Sequence, residues 1–140
     1  MGVLKLATFC ELDAYKCSVC GTLVQILDPR GMELVCCGRP MAREAECAAV
    51  RQRSVHRIEV EKMPGGLRVR IGRPLHPMTP EHRILWIEAI TGGMEVRRFL
   101  RPGNPPEATF RIAAEGLCVR AYCSRHGLWR SPESRPASIW

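Results

Sequence analysis

Eight cysteines in 140 residues constrain this chain more than any other feature, and four of them, Cys17, Cys20, Cys36 and Cys37, fall in one short stretch. Tyr15-Lys16-Cys17-Ser18-Val19-Cys20-Gly21 sets two thiols two residues apart, then a glycine where the backbone must turn tightly. Cys36-Cys37-Gly38-Arg39-Pro40-Met41 brings a second pair, again followed by glycine. Between the pairs, Thr22 to Leu27 and Met32 to Val35 read as two short strands around the turn Asp28-Pro29-Arg30-Gly31, returning the second pair to the first. The expected result is a four-thiolate metal site. Neighbouring Cys36 and Cys37 cannot both reach a metal with the relaxed geometry of C-x-x-C, so the tetrahedron should be distorted, which leans toward iron. A zinc knuckle that only folds the N-terminal part stays open, because both metals accept four thiolates.

Disulfide scaffolds also use many cysteines. Here four form one knuckle pattern and a fifth, Cys123, lies three residues from His126, which is metal usage and implies a reducing compartment. Met1 to Cys10 is interrupted by Lys5 and lacks a signal-peptide core, so it reads as a short extension, and Leu6 stands where a myristoylation signal wants Ser or Thr. A cytoplasmic location is expected. With 46% hydrophobic and 25% charged residues and no long apolar run, the composition is that of a soluble protein without a membrane span. The net charge of +7 could serve nucleic acid, but the arginines are scattered through strand-like segments and few aromatics are present to stack bases. Attraction of a small anion is the better use of that charge.

Met41 to Gln52 shows no strand alternation and reads as a linker with at most a helical turn, carrying Cys47. The chain therefore divides into 1–45, of which 1–12 are an extension, and 46–140. Cys10 and Cys47 fit neither metal pattern and are expected to be small buried hydrophobes or exposed thiols. From His56 the texture is all-β. Ile58 and Val60 alternate with charged residues, Pro64-Gly65-Gly66 turns, and Leu67, Val69 and Ile71 alternate with Arg68 and Arg70, which predicts a hairpin. Ile84 to Ile90 reads as a strand buried on both faces, with Met94 to Leu100 as its return and Ala108 to Ile112 and Leu117 to Cys123 as two more. Six or seven short strands with regular turn signals predict a β-sandwich. In the last strand Leu117, Val119, Ala121 and Cys123 share the core face, and Cys118 points away from it.

The four histidines complete a second donor set. His76 and His82 bracket the loop His76-Pro77-Met78-Thr79-Pro80-Glu81-His82, where two prolines stiffen the path, while His56 precedes a strand and His126 follows one. One histidine alone is more often a packing or surface residue. Four at loop and strand ends, beside Cys123-x-x-His126, point to a metal.

These residues resemble the two-iron desulfoferrodoxins, which are superoxide reductases, over about Tyr15 to Trp129. The first module is similar to a desulforedoxin domain through Y-K-C-x-x-C-G and C-C-G-x-P-M. The second carries H-P-M-x-x-E-H-x-I-x-W-I-E at His76 to Glu88, Phe99-Leu100-Arg101-Pro102-Gly103, and Tyr122-Cys123-Ser124-Arg125-His126-Gly127-Leu128-Trp129. The resemblance implies a desulforedoxin-like module followed by an immunoglobulin-like β-sandwich and two iron ions per chain. One iron is held by Cys17, Cys20, Cys36 and Cys37. The other is held by His56, His76, His82 and His126 in a plane, with Cys123 axial and the opposite position open. It further implies one-electron reduction of superoxide to hydrogen peroxide, a rubredoxin-like or other reductant as electron donor, and a homodimer.

One departure matters. The family usually has glutamate then lysine before the first histidine, and this chain has Ser54 and Val55. In an extended Gln52 to Ile58, Arg53 and Arg57 project on one side, so either could restore the missing positive charge. The departure also leaves open a different redox reaction, or small-ligand sensing, at the same thiolate-bound iron. A rubredoxin-like carrier with a vestigial second site is the third reading.

Overall fold

Alternating apolar and polar residues produce strands throughout the computed structural model, which describes residues 14–28, 30–31, 33–45, 47, 53–91, 93–113 and 117–131. Among them there is no helix, and so none long and apolar enough to cross a membrane. The chain forms two compact units, one of them Glu11–Ala45 and the other built mainly on Glu46–Trp140. Cys10 and Gln52 lie outside the described residues.

The small unit contains β1 (Ala14–Lys16), β2 (Leu23–Gln25), β3 (Val35–Cys36), β4 (Arg39–Pro40) and β5 (Ala42–Arg43). The expected pairing of Thr22–Leu27 with Met32–Val35 does not occur. Instead β2 pairs with β1, Lys16 opposite Leu23, and β3 pairs with β4, Val35 opposite Pro40. The tightest turns decide the register. Cys17–Gly21 closes the first hairpin, with the Cys17 N–H donating to the Thr22 carbonyl at 2.9 Å, and Cys37-Gly38 closes the second. Ala42–Arg43, expected in a linker, forms the third strand of the sheet β2-β1-β5. Cys37 has φ 52°, the one non-glycine with positive φ among the described residues. The adjacency of two cysteines is thus absorbed as a left-handed backbone, a conformation that side chains rarely take.

The larger unit contains β6 (Ile58–Met63), β7 (Gly66–Ile71), β8 (Ile84–Thr91), β9 (Met94–Phe99), β10 (Glu107–Phe110), β11 (Cys118–Cys123) and β12 (Gly127–Arg130). They form two antiparallel sheets, β10-β7-β6 and β12-β11-β8-β9. The fold is the all-β pair of modules expected. Ile58, Leu67, Val69, Ile71 and Phe110 from one sheet and Ile84, Ile87, Ala89, Val119, Ala121 and Cys123 from the other make one apolar core. β12 goes beyond the strands expected; it adds Trp129 to that core opposite Ala121.

The four-stranded sheet is buried on its second face as well. Cys118 keeps off the core cluster, as alternation requires, yet it is buried and disulfide-bonded rather than solvent-facing. Glu88 is fully buried on that face and accepts hydrogen bonds from Arg120 and from Arg97, the latter at 2.5 Å. Arg97 also lies 4.5 Å over the Trp86 ring, which stacks on Tyr122. Two cations around one carboxylate let it stay charged without water.

Gly72 joins the end of the β6–β7 hairpin to the segment that carries His76. Its φ is +96°, and a Cβ there would lie 2.5 Å from the Val55 carbonyl oxygen and 2.6 Å from the His76 nitrogen. The segments carrying His56 and His76 meet across the bare glycine. Gly72→Ala is expected to lose about 2 kcal/mol or more from strain and displacement. Gly65, with φ +78° and nothing within 4 Å of a Cβ, is the control, where alanine should lose about 1 kcal/mol. Thermal unfolding of the two variants checks the difference.

Candidate metal centres

The four sulfurs of Cys17, Cys20, Cys36 and Cys37 lie within 4.8 Å of one another. Cys20 Sγ is 3.7 Å from Cys36 Sγ, and Cys36 Sγ is 3.9 Å from Cys37 Sγ. The N–H groups of Val19 and Cys20 point at Cys17 Sγ from 3.4 and 3.5 Å, because the C-x-x-C turn aims successive amides at its first sulfur. Hydrogen bonding from Thr22 brings the Cys20 thiol down to about 6, and contact with Cys20 pushes Cys36 up to about 12. Cys17, lowered by the Cys20 and Val19 N–H groups, ionises readily with Cys20, while Cys36 and Cys37 hold their protons. A cation is what lets all four give them up, so the donor set fits a tetrahedral thiolate-bound iron.

The second set draws on turns at one end of the sandwich. His56 precedes β6, His76 and His82 lie between β7 and β8, Cys123 ends β11, and His126 sits in the turn into β12. The imidazoles form a closed ring, with centroid separations of 4.8 Å for His56–His76, 4.7 Å for His76–His82, 5.0 Å for His82–His126 and 4.9 Å for His126–His56. Cys123 Sγ lies 3.3 Å from His76 Nε2 and 3.5 Å from His126 Nδ1. His56, His76, His82 and Cys123 hold their donor atoms within 4.8 Å of one another. All five residues singled out by sequence are therefore in one place.

The ring nitrogens are set up as acceptors. His76 Nδ1 lies 2.7 Å from the Pro77 carbonyl and donates its proton there, leaving Nε2 as a lone pair 3.1 Å from His56 Nε2. Burial pushes His76 down to about 4 and lowers His82 too. His82 Nε2 is buried with no hydrogen-bond partner, an orphan that a metal would satisfy. Burial pushes the Cys123 thiol up, against the opposing pull of the Arg125 and His126 backbone N–H groups. Neutral imidazoles around one thiol fit iron(II), which would replace the thiol proton and take up the lone pairs.

Three supporting residues escape a reading of the sequence alone. Trp129 stacks on His56 with centroids 4.3 Å apart and planes 4° from parallel, fixing that ring. Thr79 receives the His82 N–H on its hydroxyl at 3.0 Å and donates its own N–H to the His82 carbonyl at 3.0 Å. Ser124 bonds to the segment after His82. Their only sequence signal is a place within three residues of a ligand. The segment expected to be extended is a turn at 53–56, closed by the Arg57 N–H on the Ser54 carbonyl; Arg53 and Arg57 are both exposed, Arg57 with Nε 3.8 Å from Glu59.

Residues 49–132 match the desulfoferrodoxin family, and residues 10–43 match the desulfoferrodoxin N-terminal domain. A desulfoferrodoxin of Syntrophotalea carbinolica is 42% identical over 121 residues, covering 86% of this chain and 96% of that protein. A superoxide reductase of Pyrococcus horikoshii is 33% identical over 78 residues, covering 45% of this chain and 68% of that protein. In fold the chain is similar to the crystal structure of the superoxide reductase from Treponema pallidum, with TM-score 0.68 and 24% identity over 86% of this chain and 97% of that one.

The depressed value of His76 sets a pH dependence. Its folded value of about 4 lies below the 6.5 of an ordinary histidine, so the unfolded chain takes the proton first. Stability is full above about 6.5 and falls as pH drops toward 4. Urea unfolding of protein with the second centre metal-free should show a lower midpoint at about pH 5 than at about pH 7. His76→Gln should flatten that difference.

Proposed function

The chain belongs to the desulfoferrodoxin family, and from that premise we propose that it is a superoxide reductase. The observation that carries the proposal is the closed ring of four imidazoles with one thiol packed against it. His56, His76, His82, His126 and Cys123 would hold a ferrous iron, and that iron would supply the one electron by which superoxide, with two protons, becomes hydrogen peroxide. A separate reductant, rubredoxin-like or other, then returns the electron, and Cys17, Cys20, Cys36 and Cys37 hold the iron that could relay it. The unit Glu11–Ala45 is the thiolate-iron domain and the larger unit the reactive one, in a homodimer.

The chain's own groups have distinct tasks in this scheme. The imidazoles bring no charge, so one thiolate leaves the ferrous centre with a formal surplus of +1, which favours an anion. Cys123 would give the metal the electron density of one thiolate. The backbone N–H groups of Arg125 and His126 temper that donation by stabilising the thiolate. Arg53 and Arg57 offer positive charge beside His56, and the ion pair of Arg57 with Glu59 is too long and exposed to neutralise it.

A second reading rests on Ser54 and Val55. The Ser54 carbonyl accepts the N–H groups of Arg57 at 3.4 Å and Arg73 at 2.7 Å, so this turn is a backbone brace. Neither side chain can supply a carboxylate or an ammonium to the open side of the site. That lack is what would suit the same iron to another redox reaction, or to sensing of a small ligand.

Pulse-generated superoxide separates the two. Rapid oxidation of the ferrous second centre with one peroxide per iron is expected, and its absence would favour the alternative. Arg57→Ala or Arg53→Ala should slow the association about threefold at low salt and reduce its salt dependence. An unchanged rate in both sinks the role given to the arginines and leaves the reductase proposal standing.

A further inference from the structure

Cys123 ends β11 and His82 lies in the loop just ahead of β8, and the residues just after them are bound to each other. The Ser124 N–H donates to the Arg83 carbonyl at 2.9 Å, and the Arg83 N–H donates to the Ser124 hydroxyl at 3.0 Å. The same hydroxyl donates to the Glu81 carbonyl at 3.4 Å, just ahead of His82.

The local geometry explains why a hydroxyl is needed. The ladder between β8 and β11 ends with Cys123 opposite Ile84, after a register shift that leaves Leu85 as an extra residue. A further antiparallel step would pair Arg83 with Ser124 through both backbones. At Ser124, however, the chain enters the turn that brings His126 round, and the Arg83 N–H is taken by the Ser124 hydroxyl. Without that hydroxyl the Arg83 N–H would lose its acceptor in a half-buried position. A hydroxyl accepts that N–H and donates to Glu81 with one atom, which alanine cannot do and threonine can.

We propose that Ser124 is a positioning residue that sets the separation of Cys123 and His82 by gripping the backbone on both sides of His82. This rests on the reading of the second centre as an iron site. Thr79 holds the far side of the same segment through the His82 N–H, so His82 is fixed from two directions. Removing the Ser124 hydroxyl frees one of them, letting the imidazole drift relative to the sulfur while the core strands stay in place.

The test uses the full chain with its four-cysteine centre loaded and its second centre emptied, titrated anaerobically with Co(II) while the thiolate-to-metal absorption is followed. Ser124→Ala should weaken Co(II) binding about tenfold and shift the absorption band. Ser124→Thr should restore both. Val60→Ala, at the edge of the core away from the ligand turns, controls for lost stability, and its band should stay at the wild-type position. If Ser124→Ala matches the wild type in affinity and band, or if Val60→Ala reproduces both changes, the positioning role is overturned. Failure of the wild type to bind Co(II) at all would overturn the iron-site reading, and this inference with it.

Discussion

Four imidazole rings share one pocket beside a thiol, and the larger unit is arranged around that enclosure. At centroid separations of 4.7 to 5.0 Å, a proton on any ring would repel a charge on the next. Burial pushes His76 down to about 4 and lowers His82 as well, so these two rings resist that proton. The Pro77 carbonyl then settles which nitrogen keeps its hydrogen, so the lone pair faces inward. Neutrality and orientation are two effects of the same enclosure.

That enclosure needs a rigid floor. β8 and β11 are buried along both faces, with the apolar core on one side and the Glu88, Arg97 and Arg120 cluster on the other. Burial alone would raise the Glu88 carboxyl, but hydrogen bonding with Glu95 and the charges of Arg120 and Arg97 outweigh it and hold the group below the usual range. Removing one partner from such a buried set costs about 3–5 kcal/mol, far more than a surface ion pair. The strand that ends in Cys123 is therefore anchored by charge on one face and packing on the other.

Much of this is legible in the sequence because it depends on periodicity and residue type. The β6–β7 hairpin follows from the alternation of Ile58 and Val60 and of Leu67, Val69 and Ile71. The donors His56, His76, His82, Cys123 and His126 stand out because their chemistry has few other uses at strand ends. β12 is harder to see because four residues, Gly127 to Arg130, are too few to show a period. The pairing of the small unit differs from expectation because nearness in sequence favours Thr22–Leu27 with Met32–Val35, whereas the turns at the two cysteine pairs dictate the partners. Ser124 and Gly72 cannot be picked out, since a serine or glycine becomes significant only through what lies across from it.

The two donor sets differ in how much chain they enclose. Cys17 to Cys37 spans a short local stretch, while His56 to His126 draws in most of the larger unit, and its ring closes only when the two sheets have met. Closing a long loop carries a greater entropic cost and comes later in folding than closing a short one. The thiolate centre can thus form on a nascent chain, but the histidine centre must be filled after the sandwich exists. Its donors are gathered by a finished cavity, whereas those of the thiolate centre are gathered by one short loop.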